Sequence, residues 1–319
     1  MTDRVVERHR DAEAGEGYIP EVGIRFAAIL LVFSITPLVA LSSDCASPGG
    51  LRVATFNIHY LSQRSDAPVM RWEPRDSAVV TVLNRIDADI VAFQEMETFS
   101  GGHYNRENRQ LDTIRAAFPE FGFAALGDPE NYPSTQPIMY RRDRFAPEEQ
   151  GFFFFSPNPD EIYSEPWFGR YPAYASWVRF SIGGGDTEQS QQSLLVFNLH
   201  IDRERHRDKL RSARLLAERI TEIRRDDEEV IVAGDFNAFR FMRPVSIVAR
   251  DADLTTAPGA GATFHFYRGW RLFPAIDHIL YSDGFSATDT RVVRDRPGGI
   301  WPSDHFPFVV DLTRQEQSP

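Results

Sequence analysis

Short apolar runs alternate with amphipathic stretches from residue 51 to residue 312, and this alternation constrains the fold of the 319-residue chain most strongly. The apolar runs predict buried strands at 51–58, 87–96, 136–145, 176–182, 193–201, 230–237, 275–282 and 305–312. Apolar residues at helical spacing predict helices at 77–86, 110–118 and 209–225. Strands that alternate with helices are typical of an α/β protein. No internal repeat or linker interrupts the pattern, so we expect one domain over residues 50–314 and a tail at 315–319.

Two parts of this domain depart from the alternation of strands and helices. Residues 176–182 and 193–201 are separated by flexible polar residues, which predicts a hairpin. Residues 146–175 are rich in Pro, Phe and Tyr, which predicts irregular structure with short strands. Within them, GFFFFS (151–156) is a candidate membrane-contacting patch, but we expect a buried or half-buried strand there.

The N-terminal residues differ from the domain in composition. Residues 1–23 form a polar leader of mixed charge, and 26–41 is an uncharged, mostly apolar run entered by Arg25. This run is shorter than the roughly 20 residues of a comfortable membrane span. Residues 24–45 therefore predict an export signal or, if uncleaved, a single membrane anchor. In both cases we expect the domain to be exported, as a secreted or extracytoplasmic protein.

The cysteine content and the net charge limit the kinds of structural and binding site that the chain can contain. The single cysteine, Cys45, rules out an internal disulfide framework and a multi-cysteine zinc site. The net charge of −11 argues against a general basic face for nucleic acid. Lys209 is the only lysine among 35 basic residues, and we ascribe the excess of arginine to codon bias.

Polar side chains that are suited to catalysis lie where the predicted strands end or begin. They are Asn57, Glu95, Asn198, His200, Asp235, Asn237, Asp304 and His305. Any one of them has an ordinary structural explanation, such as a turn asparagine or a core histidine. Strand ends that converge on one edge of a sheet are where α/β proteins build their sites, and these eight residues occur at five separate strand boundaries, which predicts a functional site.

The chemistry of this set indicates a metal-dependent hydrolase. Carboxylate and amide oxygens suit Mg²⁺, with Mn²⁺ and Ca²⁺ as alternatives, and Glu95 supported by Asn57 fits the few protein ligands that Mg²⁺ takes. The two histidines provide a base and an electrostatic clamp, and Asp277 is placed to orient one of them. Metal-assisted hydrolysis of a phosphate ester needs these parts.

The order of the motifs resembles that of the endonuclease/exonuclease/phosphatase superfamily. The matching segments are TFNI (55–58), DIVAFQE (89–95), FNLHID (197–202), GDFNA (234–238), IDHIL (276–280) and SDHFP (303–307). The resemblance implies a four-layered α-β-β-α sandwich with two packed mixed β-sheets. It also implies that Asn57 and Glu95 hold the divalent metal and that Asp304 assists there.

The same resemblance implies roles for the catalytic residues. His200 would stabilise charge on the phosphoryl group, and Asp235 would position or deprotonate the attacking water. Asn237 would hydrogen-bond water or phosphate, and His305, paired with Asp277, would contact the phosphate or act as the base. Whether Asp235 or His305 is the base stays open.

Two further segments resemble bacterial members of the superfamily: Trp72-Glu73-Pro74-Arg75 and Thr263-Phe264-His265. Relatives often have Pro-Arg before the tryptophan of the middle strand, whereas here Pro172 precedes Ala173 and Arg170 is the nearest substitute. We therefore take Arg170 and His265 as candidates for substrate binding.

The most favoured function is hydrolysis of a phosphodiester by water organised at a divalent metal. Three alternatives stay open: a nuclease acting on DNA or RNA, a phosphomonoesterase or lipid phosphodiesterase, and a catalytically inactive binding protein on the same fold. We expect a monomer whose partner is a phosphate-ester substrate. Nucleic acid remains an alternative partner, and an uncleaved N-terminal segment would add a membrane.

Overall fold

The computed structural model describes residues 50–100, 106–169, 171–183 and 192–315. The polar leader, the predicted export segment, Arg170 and residues 316–319 lie outside the described residues. No helix within the described ranges combines the length and the apolar composition that crossing a membrane requires.

The described residues contain fourteen strands and four α-helices. The strands are β1 (Gly50–Asn57), β2 (Leu61–Ser62), β3 (Ile90–Gln94), β4 (Thr98–Phe99), β5 (Phe121–Ala124), β6 (Ile138–Arg141), β7 (Phe145–Phe154), β8 (Tyr174–Ile182), β9 (Gln192–His200), β10 (Glu229–Asp235), β11 (Thr255–Thr256), β12 (Asp277–Tyr281), β13 (Phe285–Val292) and β14 (Phe308–Arg314). The helices are α1 (Asp76–Ile86), α2 (Arg109–Ala117), α3 (His206–Ile223) and α4 (Arg243–Asp251).

Two six-stranded sheets contain most of the strands. The first has the order β13-β14-β1-β3-β6-β5 and the second has the order β11-β12-β10-β9-β8-β7. Each sheet is mixed, because β1 and β3 run parallel, as do β9 and β10, whereas the other neighbours are antiparallel. The hairpin of β8 and β9 confirms the pairing that the sequence predicted.

Three apolar clusters divide the fold into layers. Between the sheets, Val53 and Ala92 of the first sheet share a cluster with Val196 and Ile231 of the second. A second cluster joins α1 and α2 to the outer face of the first sheet. A third joins α3 and α4 to the outer face of the second sheet. The predicted four-layered α-β-β-α sandwich with two mixed sheets is thus confirmed.

Helix α3 shows how the sequence positions an outer layer. Its buried residues include Ala213, Leu216, Ala217 and Ile220, spaced three or four apart, so they form one apolar stripe. The helix lies over the second sheet with its charged residues on the opposite face, and it leads directly from the end of β9 to β10.

The structure replaces the irregular structure predicted at residues 146–150 with one long strand, which also contains residues 151–154 of the strand expected at 151–156. Strand β7 is ten residues long and pairs with β8 along its whole length, with a register shift between Pro147 and Glu149. Its apolar alternation is weak because it is an edge strand whose middle residues are exposed. The aromatic end packs inward, and Phe153, Phe154 and Phe155 are buried.

Candidate active site

The predicted polar residues meet at one edge of the sandwich, between the two sheets. Asn57 ends β1 in the first sheet, and Asp235 ends β10 in the second. The Asn57 amide donates to the Asp235 carboxylate at 3.2 Å, across 178 residues of sequence. The site is therefore shared between the sheets, and its geometry depends on their packing.

A buried polar network aligns the two sheets behind this edge. The Gln94 amide donates to Asn198 Oδ1 at 2.7 Å, and the Asn198 amide donates to the Phe93 carbonyl at 2.7 Å. Asn198 is fully buried, so its side chain connects the sheets and does not face substrate. Since Gln94 precedes Glu95 and Asn198 lies two residues before His200, the network fixes two strand ends relative to each other.

Asp235 lies at the centre of the site and is buried. Its Oδ1 accepts the Asn237 N–H at 2.8 Å, while its Oδ2 lies 3.5 Å from His200 Nε2 and 3.9 Å from His305 Nε2. Burial, and then the charge of Asp277, raise the pKa of Asp235 to about 6. The carboxylate thus has a proton affinity suited to proton transfer near neutral pH.

His305 forms a buried pair with Asp277. His305 Nδ1 lies 3.0 Å from Asp277 Oδ2, and Asp277 pairs in register with Asp235 across β10 and β12. Burial by itself would lower the pKa of His305, but the charge and hydrogen bond of Asp277 outweigh it and raise this pKa to about 10. The imidazole is therefore held protonated, with Nε2 directed towards Asp235.

The Thr263-Phe264-His265 segment supports this pair from behind. The Thr263 hydroxyl accepts the Asp277 N–H at 3.3 Å, and Phe264 forms an isolated β-bridge with His305. His265 itself is completely buried and stacks on Phe306 at 3.9 Å between ring centroids. The prediction that His265 binds substrate is therefore not supported, because its ring has no accessible face.

Glu95 offers carboxylate oxygens to a cation, and Asn57 holds that carboxylate while its own Oδ1 accepts the His59 N–H at 3.1 Å. Glu95 directly follows β3 with a left-handed φ of 56°, which turns its half-buried carboxylate to the site edge. The Asn57 amide donates to Glu95 Oε1 at 3.1 Å, and His200 Nε2 lies 3.9 Å from the same oxygen. Asp304 is half-buried beside His305 and contributes another carboxylate.

The donor set fits a hard divalent cation. The carboxylates of Glu95, Asp235, Asp277 and Asp304 all interact electrostatically with His305, and Oδ1 of Asp277 is buried without a hydrogen-bond partner among the described residues. Within the described residues, ligand atoms of Asp235, Asp277 and His305 also lie within 4.8 Å of one another. His305 Nδ1 is already engaged by Asp277, so the more exposed Glu95 carboxylate is the better ligand. Such oxygens match Mg²⁺, Mn²⁺ or Ca²⁺.

Asn237 has a structural contact that the sequence did not indicate. It follows Asp235 by two residues with a left-handed φ of 48°, and its amide donates to the Ile201 carbonyl at 2.8 Å. Gly234 makes this turn feasible, since a Cβ there would lie 2.1 Å from the Leu199 carbonyl oxygen. The turn places Asp235 beside the end of β9.

Lys209 is a residue whose role near the site the sequence analysis missed. Its ammonium donates to the Asn237 carbonyl at 2.6 Å. Burial lowers the pKa of Lys209, although the neighbouring charge of Asp235 acts in the opposite direction. The signal was in the sequence, since a chain that otherwise uses arginine has its single lysine here.

Arg75 is a second missed residue, although its segment was recognised. It is 2% exposed, and its guanidinium donates to the carbonyls of Ile58, His59 and Pro302 at 2.8, 2.9 and 3.1 Å. It also donates to the Tyr267 hydroxyl at 3.0 Å. Arg75 therefore joins the segment after Asn57 to the segment before Asp304.

Among the predicted site residues, the structure brings together Asn57, Glu95, His200, Asp235, Asn237, Asp277, Asp304 and His305. Carboxylates and an amide beside two histidines, at one edge of a two-sheet α/β sandwich, are typical of a phosphoesterase-type hydrolase. The chain belongs to the Endonuclease/Exonuclease/phosphatase family, whose model matches residues 54–305.

Solved structures share the fold over most of the chain. An endonuclease/exonuclease/phosphatase family protein from Bacteroides thetaiotaomicron is 25% identical with a TM-score of 0.70, and the match covers 85% of this chain and 100% of that chain. The mannosyl-6-phosphatase from B. thetaiotaomicron VPI-5482 is 24% identical with a TM-score of 0.68, and the match covers 82% of this chain and 99% of that chain. TDP2 from D. rerio, complexed with a single-strand DNA product, is 14% identical with a TM-score of 0.60, and the match covers 83% of this chain and 99% of that chain. No curated protein gives a significant match.

Proposed function

We propose that the protein hydrolyses a phosphodiester with a divalent metal ion as its cofactor. One observation carries this proposal: Asp235 Oδ2 lies within 3.9 Å of His200, His305 and the Asn57 amide, next to the Glu95 carboxylate. A buried carboxylate surrounded in this way is suited to orienting a water molecule for attack on phosphorus. The presence of all these residues disfavours an inactive binding protein.

Each side chain has a role that its position supports. Glu95, Asn57 and Asp304 would hold the ion, which when bound supplies Lewis-acid stabilisation of charge on the phosphoryl oxygens. Asp235 orients the water and accepts its proton. His200 and the protonated His305 face the same volume and stabilise the negative charge that develops in the transition state.

Asp277 keeps His305 in its active form. It holds Nδ1 at 3.0 Å, which fixes the ring orientation and leaves Nε2 as the donor towards substrate. Because Asp277 is buried, solvent does not compete for this hydrogen bond. We therefore assign base function to Asp235 and charge stabilisation to His305.

The test measures hydrolysis of bis-p-nitrophenyl phosphate with Mg²⁺, Mn²⁺ or Ca²⁺. EDTA should abolish turnover, and His305→Ala should lower kcat by about 10²- to 10⁴-fold. Glu95→Gln should weaken Mg²⁺ binding in calorimetry, whereas Glu107→Gln, a change of an exposed carboxylate, should not. Turnover that persists in EDTA, or turnover that is unchanged in His305→Ala or Glu95→Gln, would contradict the proposal.

A substrate panel separates the alternatives within this chemistry. It contains plasmid DNA, RNA, sphingomyelin, a phosphoinositide and a sugar phosphate. The acidic net charge of −11 favours a substrate other than a long polyanion. Activity on DNA or RNA that falls steeply with salt would instead identify a nuclease.

We also propose that the domain acts outside the cytoplasm as a monomer. The support is the sequence of residues 24–45, a basic residue followed by an apolar run and small polar residues. Fractionation of cells that express the full chain, with N-terminal sequencing of the recovered protein, tests export and cleavage together. Light scattering of the purified protein tests its oligomeric state.

A further inference from the structure

The exposed large hydrophobic side chains lie in connections at the active-site edge. Strand β10 ends at Asp235 and β12 begins opposite it at Asp277, so the connection between β11 and β12 lies at this edge. The connections before β8, after β10 and before β14 lie at this edge too, because β8 begins beside the end of β9 and β14 begins beside the end of β1. Within the described ranges, every exposed large hydrophobic residue belongs to one of these four connections.

The connection before β12 contains half of these residues. Phe266, Trp270, Leu272 and Phe273 are 43%, 46%, 69% and 49% exposed. The Phe266 ring centroid lies 6.1 Å from that of Trp270 and 6.4 Å from that of Phe273, so the rings form one surface. We call residues 266–274 the aromatic loop.

The aromatic loop is continuous with the catalytic residues. Phe264 lies 4.1 Å from Phe266 and 4.8 Å from His305, measured between ring centroids. Any partner that covers the loop is therefore placed next to the phosphoester site.

The charge of this connection differs from that of the whole chain. Residues 257–276 contain two arginines, Arg268 and Arg271, and no Asp or Glu, although the chain has a net charge of −11. Both arginines are exposed, and Arg268 lies over the Trp270 ring at 5.1 Å. Tryptophan, phenylalanine and leucine beside arginine are the residues that enter the interface of an anionic membrane.

We propose that the aromatic loop docks on the surface of an anionic lipid bilayer, so that the active site receives a phosphoester presented at that surface. This substrate class rests on the proposed function, whereas the docking does not. Leu272 in the loop and Ile300 in a neighbouring connection, both exposed, favour lipid over nucleic acid, because aliphatic side chains offer no ring on which bases can stack.

The test reads the environment of Trp270 in the full-length protein. Vesicles of phosphatidylcholine with phosphatidylglycerol should shift the Trp270 fluorescence to shorter wavelength, and brominated phosphatidylcholine in them should quench it. Trp270 is isolated as the difference between the wild type and Trp270→Phe. Because the signal is local, binding of the chain to vesicles through another segment leaves it unchanged.

Two variants relate docking to activity. Leu272→Asp should weaken vesicle binding through the loop by about tenfold or more, while Ala116→Asp, on the exposed face of α2, should not. Both should hydrolyse soluble bis-p-nitrophenyl phosphate like the wild type, so failure of docking is distinguishable from failure of the catalytic proposal. No Trp270 response to vesicles, or a response to single-stranded DNA alone, would overturn lipid docking.

Discussion

The ammonium of Lys209 donates a 2.6 Å hydrogen bond to the main-chain carbonyl of Asn237, two residues after Asp235. The Asn237 N–H in turn donates to Asp235 Oδ1 at 2.8 Å. The lysine on α3 therefore supports the turn that positions the central carboxylate, although it does not contact that carboxylate through a hydrogen bond in the described structure.

Replacing Lys209 by arginine should lower kcat by about tenfold with little change in KM or in thermal stability. The guanidinium is a planar fork and the ammonium is a compact donor, so the substitution shifts the Asn237 turn and with it Asp235. Steady-state kinetics and a melting curve check this. Arg214→Lys, an exposed change on the same helix, serves as the control, and an unaltered kcat in Lys209→Arg would disprove the positioning role.

Substituting Asp277 by asparagine should lower the pKa of His305 and reduce kcat by roughly 10²-fold or more. In the native protein the charge and hydrogen bond of Asp277 are the largest of the effects that raise this pKa to about 10, and without them burial is opposed only by the charges of Asp235 and Asp304. A larger fraction of His305 would then be neutral, and a neutral imidazole stabilises negative charge less well. Histidine NMR titration measures the pKa directly, with Asp289→Asn, an exposed change, as the control. A His305 pKa that stays high would refute this prediction.

Arg75→Lys should destabilise the domain by about 3 kcal/mol and lower activity. The lysine ammonium cannot reach all the carbonyls that the buried guanidinium now satisfies, and unpaired buried acceptors are costly. Urea unfolding measures the free energy. The exposed Arg71→Lys change should have almost no effect, and equal stability of the two variants would show that the Arg75 contacts are unimportant.

The buried ion pair of Arg179 and Glu228 should make stability depend on acid pH. Arg179 Nε donates to Glu228 Oε1 at 2.6 Å. Burial raises the pKa of Glu228, but the hydrogen bonds from Arg179 and Ser193 outweigh it, so the folded pKa lies below the ordinary value of 4.5. The stabilisation is therefore complete above about pH 4.5 and is lost as the pH falls through the folded pKa.

Glu228→Gln should lower the free energy of unfolding by about 3 kcal/mol at pH 7. The variant should also lose less stability than the wild type as the pH becomes acid. Unfolding measured over a pH series tests both statements. Asp295→Asn, which breaks the exposed pair with Arg85, should change stability by less than about 1 kcal/mol. A Glu228→Gln variant with the same acid dependence as the wild type would contradict the assignment.

Much of the fold follows from local patterns, and the failures have a common cause. The stripe of Ala213, Leu216 and Ile220 specifies α3 by its spacing alone. The first half of strand β7 was missed because an edge strand exposes polar residues that break its alternation. Helix α4 and strand β13 were also missed, since both are short or largely polar segments at the periphery.

By itself, the sequence determined the alternation of strands and helices, the family motifs and the residues at the strand ends. Tertiary structure decided which of those side chains meet. Asn57 and Asp235 are hydrogen-bonded across 178 residues, while Asn198 turns between the sheets and His265 is stacked in the core. Periodicity is a local property, whereas a side chain's partners depend on how distant segments pack. For that reason the contacts of Arg75 and Lys209 emerged only from the fold, although the single lysine was visible in the sequence.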